Sequence, residues 1–185
     1  MRQDELTSPR SGAQLAAIRQ ASTGHDFELA RGLFVEYAQW LKVDLCFQGF
    51  DQELATLPGA YAPPRGRLLL AGMPGEAFAC IALRPLENNA GRSEDPGFPG
   101  HGAPGVAEVK RLYVQPDHRG EGWGKRLALE LLDEARGIGY RELKLDTLGW
   151  MNEARALYAR LGFRECAPYY HNPLPGVVYM ALWLA

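Results

Sequence analysis

Apolar residues recur with helical and strand periods along most of the chain, and these patterns predict its elements. A short strand is predicted over residues 15–21, and apolar positions at a 3.6-residue period predict a helix over 27–41. Thr23 or Asp26 is expected to cap that helix, because short polar side chains satisfy the free backbone N–H groups at a helix start. A second short helix is predicted over residues 52–56.

The middle of the chain is predicted to form a hairpin, a long loop and an irregular strand. Residues 67–71 and 77–83 are short apolar runs separated by the turn residues Gly72-Met73-Pro74-Gly75. Nine of the 21 residues over 85–105 are Gly or Pro, which predicts a mobile exposed loop. Over residues 106–114 the apolar positions change parity, which favours a β-bulge; a central strand that is apolar on both faces is the alternative.

The second half of the chain alternates strands and helices. A helix is predicted over residues 123–136, ended by Gly137 and Gly139, and a further helix is predicted around the apolar positions of 154–161. Strands are predicted over 142–147 and 177–184. This alternation predicts an α/β sheet with at least one parallel strand pair.

Composition limits the classes of protein to which the chain can belong. Its 185 residues suit one domain, predicted over 15–185 after a flexible tail at 1–14. The net charge of -2 argues against a polyanion-binding protein, and no segment resembles a secretory signal or a membrane span. Three separated cysteines without a CxxC pair suit a reducing, cytoplasmic location, and no metal site is expected.

A glycine-rich turn between a predicted strand and a predicted helix is the most informative segment. Residues 119–126 read Arg-Gly-Glu-Gly-Trp-Gly-Lys-Arg. Glycines at a helix start let backbone N–H groups face one ligand, and three cations reinforce the positive end of the helix dipole. The segment therefore predicts a phosphate site, although neither the Rossmann nor the Walker A spacing is present.

This turn resembles motif A of the GNAT superfamily of N-acetyltransferases, in the pattern Arg119-x-x-Gly122-x-Gly124 after a bulged strand. The later pattern Ala154-x-x-Leu157-Tyr158-x-x-x-Gly162-Phe163 resembles the following helix and strand of that family. The resemblance covers residues 106–163. It implies a mixed α/β fold whose mostly antiparallel central sheet has a splayed parallel strand pair and helices on both faces.

The resemblance also implies the cofactor site. Acetyl-CoA is the expected co-substrate, with its pyrophosphate on the glycine turn and its pantetheine arm along the bulged strand. Asn152 lies one residue after the position where the family commonly has an asparagine, so it either contacts the pantetheine arm or only caps a helix. The cofactor-binding residues expected on this basis are Leu112, Tyr113, Val114, Arg119, Gly120, Gly122, Trp123, Gly124, Lys125 and Asn152.

Two residues are candidates for proton transfer. The resemblance places Tyr158 at the CoA sulfur as general acid; packing in the core is the alternative. It suggests Glu108 as general base, directly or through water; a salt bridge with Lys110 or Arg111 is the alternative. The acceptor pocket is expected among aromatic residues and one histidine, which core packing explains equally well: Tyr37, Phe47, Phe50, Tyr169, Tyr170 and His171.

The function implied is direct transfer of an acetyl group from acetyl-CoA to a primary amine of a small molecule or peptide in a ternary complex. A catalytically silent acyl-CoA-binding regulatory module is the alternative. A nucleic-acid surface is disfavoured by the net charge, although basic residues cluster near the turn. No nucleic-acid or membrane partner is expected, and the resemblance leaves a homodimer open.

Overall fold

A computed structural model of the chain describes residues 15–43, 45, 48–86 and 105–184. The expected tail at 1–14 and all but the ends of the 85–105 loop lie outside these residues. The helices and strands of the described part are β1 (Ala17–Gln20), α1 (Gly24–Leu41), α2 (Phe50–Thr56), β2 (Arg67–Gly72), β3 (Ala79–Pro85), β4 (Val106–Val114), α3 (Trp123–Ile138), β5 (Glu142–Leu148), α4 (Asn152–Arg160), β6 (Arg164–Glu165) and β7 (Val177–Trp183).

The strands form one mixed sheet in the order β1-β2-β3-β4-β5-β7-β6. Strands β4 and β5 run parallel, and the other neighbouring pairs are antiparallel. Apolar residues of α3 and α4 pack on one face of the sheet, and those of α1 and α2 pack on the other. This architecture confirms the predicted fold class.

The helix ends follow the expected chemistry, with one exception. Thr23 caps α1, and its Oγ1 accepts from the Asp26 backbone N–H at 3.1 Å while Asp26 accepts from the Thr23 N–H at 3.2 Å. Both predicted cap residues therefore take part, and α1 starts at Gly24, before the predicted position. Gly139, with φ of 97°, ends α3, whereas Gly137 lies inside the helix, so the prediction that Gly137 ends it was wrong.

Strand β4 contains the predicted bulge. Cys80 pairs with Tyr113 and Ala82 pairs with Lys110, so one residue of β3 lies opposite two residues of β4. The two residues of β4 opposite this single residue, Ile81, are Arg111 and Leu112, and Arg111 has a positive φ of 58°. The bulge therefore places the side chains of Lys110 and Arg111 on the same face of the sheet, where a regular strand would alternate them.

The bulge coincides with the separation of the two parallel strands. Pairing between β4 and β5 joins Val106–Glu108 to Glu142–Lys144, and beyond these residues the described parts of the strands do not pair. The second half of β4 thus faces β5 across a gap. Backbone groups there are free to bind a ligand, because no neighbouring strand uses them.

A buried ion pair holds the bulge. The Arg111 guanidinium, 3% exposed, donates to Glu53 of α2 from Nε at 2.9 Å and from an Nη at 2.6 Å. Burial opposes the charge of both groups, but their pairing outweighs it, so the pKa of Glu53 is lowered and the pKa of Arg111 is raised. A left-handed residue with a Cβ costs about 1–2 kcal/mol. Such a conformation persists where surrounding contacts hold the residue, and this ion pair is the contact that fixes the Arg111 side chain.

We predict that Glu53→Gln destabilises the fold by about 3 kcal/mol, because it leaves the buried Arg111 charge without a counter-ion. The pKa of Glu53 is lowered by folding, so the pair stabilises the protein above about pH 4.3 and this contribution is lost as pH falls further. Urea unfolding at pH 7 and at pH 3 should therefore show a large difference between variant and wild type at the higher pH and a small one at the lower.

The exposed carboxylate of Asp51, on the same helix, provides the matched control. Asp51→Asn should leave the unfolding midpoint near that of the wild type. Equal effects of the two substitutions at pH 7 would contradict the anchoring role of Glu53.

Candidate active site

The gap between β4 and β5 opens into a cleft with about 630 Å³ of space. Its floor is the edge of the separated strands, and its walls come from α1, the segment after it, and α4. The lining residues are Tyr37, Leu41, Val43, Leu45, Gln48, Val109, Lys110, Arg111, Leu112, Asp146, Thr147, Leu148, Met151, Ala154, Tyr158 and Leu174. A cleft at a splayed strand pair offers free backbone groups and side chains from several elements at one point.

The glycine turn lies between β4 and α3, as the sequence predicts. Gly120 and Gly122 have φ of 82° and 83°, which residues with a Cβ rarely adopt, and a Cβ at either would meet no atom within 4 Å. Gly122 is the N-cap of α3, so the first backbone N–H groups of that helix are directed at the solvent-exposed turn. This geometry suits an anionic ligand such as a pyrophosphate.

The side chains of Arg119, Lys125 and Trp123 around the turn make different contacts. Arg119 donates from Nε to the Val114 carbonyl at 3.0 Å, and its Cζ lies 4.8 Å from the centre of the Trp40 ring. Lys125 is exposed. Trp123 is buried in the core and donates from its indole to Glu121 at 3.0 Å. The indole N–H is thus occupied by a carboxylate of the turn itself.

Tyr158 lies on α4 at the wall of the cleft. Its ring packs edge-on against Phe163 at 5.4 Å, and its hydroxyl forms no hydrogen bond with any described residue. Burial, with smaller contributions from Tyr37 and Asp146, raises the pKa of Tyr158 far above its usual range. The hydroxyl therefore stays protonated at physiological pH, as a proton donor must.

Glu108 is almost completely buried, at 1% exposure, and is engaged on both oxygens. Arg84 donates to Oε2 at 2.7–2.8 Å, and the Tyr169 hydroxyl donates to Oε1 at 2.9 Å. The ion pair with Lys110, the alternative role, is also present at 3.5 Å, whereas Arg111 pairs with Glu53. Glu108 is not among the residues that line the cleft. Its role as general base remains a prediction.

Asn152 is the first residue of α4 and is exposed. The N-cap position belongs to Met151, and no side chain caps this helix. Asn152 therefore does not cap α4, and that alternative was wrong. Contact between Asn152 and the pantetheine arm remains a prediction.

The residues predicted for the acceptor pocket occupy different places. Tyr37 lines the cleft, and burial raises its pKa to about 12. The ring of Phe50 lies under the Arg111 guanidinium at 5.0 Å and does not line the cleft. Tyr169 and Tyr170 stand beside each other with ring centres 5.2 Å apart, next to Glu108 and Asp146 respectively. His171 is exposed, and Phe47 lies outside the described residues.

Sequence reasoning missed five polar residues that line the cleft: Gln48, Lys110, Arg111, Asp146 and Thr147. Lys110 Nζ lies 3.2 Å from Asp146 Oδ1, which joins the two separated strands by an ion pair. The signal was a carboxylate within the alternating pattern of 142–147, where it looked like an ordinary solvent-facing position. Only the register of the sheet shows that this side chain faces the gap.

Two negative observations concern the described part of the chain alone. Among the residues that the structure describes, no group of three or more His, Cys, Asp or Glu side chains could hold a metal ion. None of the described helices is long and apolar enough to cross a membrane.

Comparison with known proteins places this geometry in a family. Residues 34–163 match the model of the Acetyltransferase (GNAT) family. An uncharacterized N-acetyltransferase of Schizosaccharomyces pombe is 38% identical over 173 residues, which cover 93% of this chain and 95% of the relative.

Solved structures share the fold. A GNAT-family acetyltransferase of Staphylococcus aureus superposes with a TM-score of 0.69 at 17% identity. The alignment covers 92% of this chain and 100% of that structure. A GNAT acetyltransferase of Elizabethkingia anophelis with acetyl-CoA bound superposes with a TM-score of 0.58 at 18% identity. The alignment covers 91% of this chain and 98% of that structure. With its bulged strand, glycine turn and splayed parallel pair, the chain belongs to the GNAT superfamily of N-acetyltransferases.

Proposed function

We propose that the chain transfers the acetyl group of acetyl-CoA directly to a primary amine of a small molecule or peptide. One observation carries this proposal: a single cleft at the splayed strands is bordered by the free edge of β4, by Tyr158 and by polar groups suited to an amine. Both substrates would meet there, so no acyl-enzyme is needed. In the reaction the amine nitrogen bonds to the thioester carbon, the C–S bond breaks, and CoA leaves as a thiol.

The glycine turn and the bulge are the proposed cofactor site. The backbone of Gly120, Gly122 and Gly124 and the charge of Lys125 would hold the pyrophosphate, since the turn is exposed and its glycines leave room for close approach. The free edge of Leu112, Tyr113 and Val114 would hydrogen-bond the pantetheine arm, and Asn152 at the start of α4 is a further proposed contact. Arg119 keeps the end of this edge in place through the Val114 carbonyl.

Two residues are proposed to move protons. A departing thiolate needs a proton, and the free, protonated Tyr158 hydroxyl is the donor on the cleft wall. An amine has a pKa near 10.4 and arrives mostly protonated, so a base must take a proton. Glu108 is the proposed base. Because Arg84 and Tyr169 already occupy its oxygens, the proton would reach it through Tyr169 or a water, not by direct contact.

We expect CoA to stabilise the fold through the glycine turn. At 100 times its dissociation constant, CoA should add about 2.7 kcal/mol, or roughly 5–10 °C of melting temperature. Gly122→Asp should abolish this shift, because the side chain would point into the open space over the turn and repel a pyrophosphate.

Gly139→Asp is the matched control, because Gly139 also has a positive φ and also has no atom within 4 Å of a Cβ. Gly139→Asp should destabilise the CoA-free protein about as much as Gly122→Asp does. It should retain the rise in melting temperature that CoA causes. The absence of any CoA shift in the wild-type protein would refute the cofactor assignment.

Tyr158→Phe should lower kcat by about 10–1,000-fold with little change in CoA affinity, because it removes the proposed acid and keeps the ring. Steady-state kinetics with the best amine measures this. Tyr140→Phe removes the hydroxyl of another buried tyrosine, one bonded to the Arg65 carbonyl at 2.8 Å, and should leave kcat unchanged. Full activity of Tyr158→Phe would return this residue to core packing.

Glu108→Gln should lower activity most at neutral pH, and its defect should shrink as pH approaches the amine pKa near 10.4, since the free amine then needs no base. A pH–rate profile of the variant beside the wild type and Tyr158→Phe tests this. The Tyr158→Phe defect should not recover with pH. A Glu108→Gln profile parallel to wild type at all pH values would remove Glu108 from the base role.

A further inference from the structure

A polar cluster at the β5 side of the cleft has no part in the chemistry proposed so far. Its centre is Asp146, whose side chain is 11% exposed and lines the cleft. Oδ1 accepts from Lys110 Nζ at 3.2 Å, Oδ2 accepts from Asn172 Nδ2 at 3.1 Å, and the Tyr170 hydroxyl lies beside the carboxylate. A carboxylate offers about four acceptor positions, so one is left for a donor in the cleft.

Gln48, on the other wall, presents a buried acceptor without a donor. Its Nε2 donates to the Tyr170 hydroxyl at 3.3 Å, and its Oε1 is buried with no hydrogen-bond partner among the described residues. The orientation of the amide is determined by its neighbours. The Tyr170 hydroxyl accepts from Asn172 at 3.1 Å and lies beside the Asp146 carboxylate, which is a stronger acceptor for its one proton than an amide oxygen, so Gln48 donates to it.

A buried amide oxygen without a partner is rare and unfavourable. In this cleft it points to a ligand that brings an N–H donor. Asn172 Nδ2 donates both to Asp146 Oδ2 and to the Tyr170 hydroxyl, and that hydroxyl also accepts from Gln48 Nε2. Asp146 and Gln48 both line the cleft, so the two acceptors belong to one hydrogen-bonded cluster there. A primary amine has two N–H donors to fill both, with its lone pair left for the attack.

The charges around this point balance. Arg84 and Lys110 face Glu108 and Asp146, and Arg111 is paired with Glu53. A neutral cluster gives no net attraction to a second cation or to a carboxylate, because each charge already has its partner. Most of the remaining wall is apolar and includes Leu41, Val43, Leu45, Leu148, Met151 and Leu174, although Tyr37 and Thr147 also line it.

We propose that Asp146 and Gln48 bind the amino group of the acceptor, and that the acceptor is a primary amine carried by an uncharged, apolar group. The inference rests on the proposed acetyl transfer and deepens it by naming the amine-binding pair and the substrate class. Asp146 and Gln48 orient the nitrogen, while proton removal stays with Glu108.

Steady-state kinetics with acetyl-CoA and a defined set of amines tests the substrate class. Isoamylamine and phenethylamine should be acetylated with a kcat/KM at least 10-fold above the values for spermidine, aspartate and an aminoglycoside. A preference for spermidine, the aminoglycoside or aspartate in the wild type would overturn the substrate class.

Variants test the amine-binding pair. Asp146→Asn and Gln48→Met should each raise KM for isoamylamine about 10-fold or more, with KM for acetyl-CoA and the CoA-induced thermal shift unchanged. Gln48→Glu keeps an oxygen acceptor and should retain more of the affinity than Gln48→Met. Glu142→Gln, an ion-pair residue on the same strand, should change neither constant.

The experiments distinguish a failure of the amine-binding pair from a failure of the proposed acetyl transfer. Wild-type KM for the amine in both Asp146→Asn and Gln48→Met would overturn the amine-binding pair and leave the acetyl transfer intact. If Asp146→Asn does not fold, Gln48→Met decides, because it removes no charge. A wild-type protein that binds CoA and acetylates no amine would overturn the proposed function itself.

Discussion

The ion pair of Arg111 with Glu53 is the constraint on which the cleft depends. It holds Arg111 in a left-handed backbone conformation in the middle of a central strand, where a regular strand residue would be preferred. Strand β4 pairs with β5 over three positions only, and the bulge lies just beyond the last of them. The gap, the free edge of β4 and the cleft all follow from this separation. A buried charge pair thus maintains an opening that regular sheet pairing would close.

The same separation divides the cleft into two sides with different chemistry. Toward the glycine turn are free backbone groups, a helix N-terminus and exposed cations, which suit an extended, anionic cofactor. Toward α1 and the segment after it are apolar side chains with Asp146 and Gln48, which suit an amino group carried by an uncharged, apolar group. The Lys110–Asp146 ion pair connects the diverging strands, so the separation is spanned by a polar contact at the acceptor side.

Local patterns predicted much of this structure. The parity change in β4 revealed the bulge, because side-chain direction in a strand depends on counting residues. The order of strands and helices and the position of Tyr158 also followed from local spacing and a resemblance. The partners of buried charges did not, since Arg111 and Glu53 are 58 residues apart and Glu108 pairs with Arg84 from another strand. Such pairs depend on the register of the sheet and on how the helices pack on it, and periodicity gives neither.

Hydrogen–deuterium exchange with and without CoA tests the link between the separated strands and the cofactor most directly. If the free edge of β4 and the first turn of α3 bind CoA, exchange should slow in peptides covering residues 111–114 and 120–125. Peptides from β1 and β2, at the far edge of the sheet, should exchange at unchanged rates. Binding of CoA without protection of either segment would contradict the account, because the opening made by the bulge would then serve some other purpose.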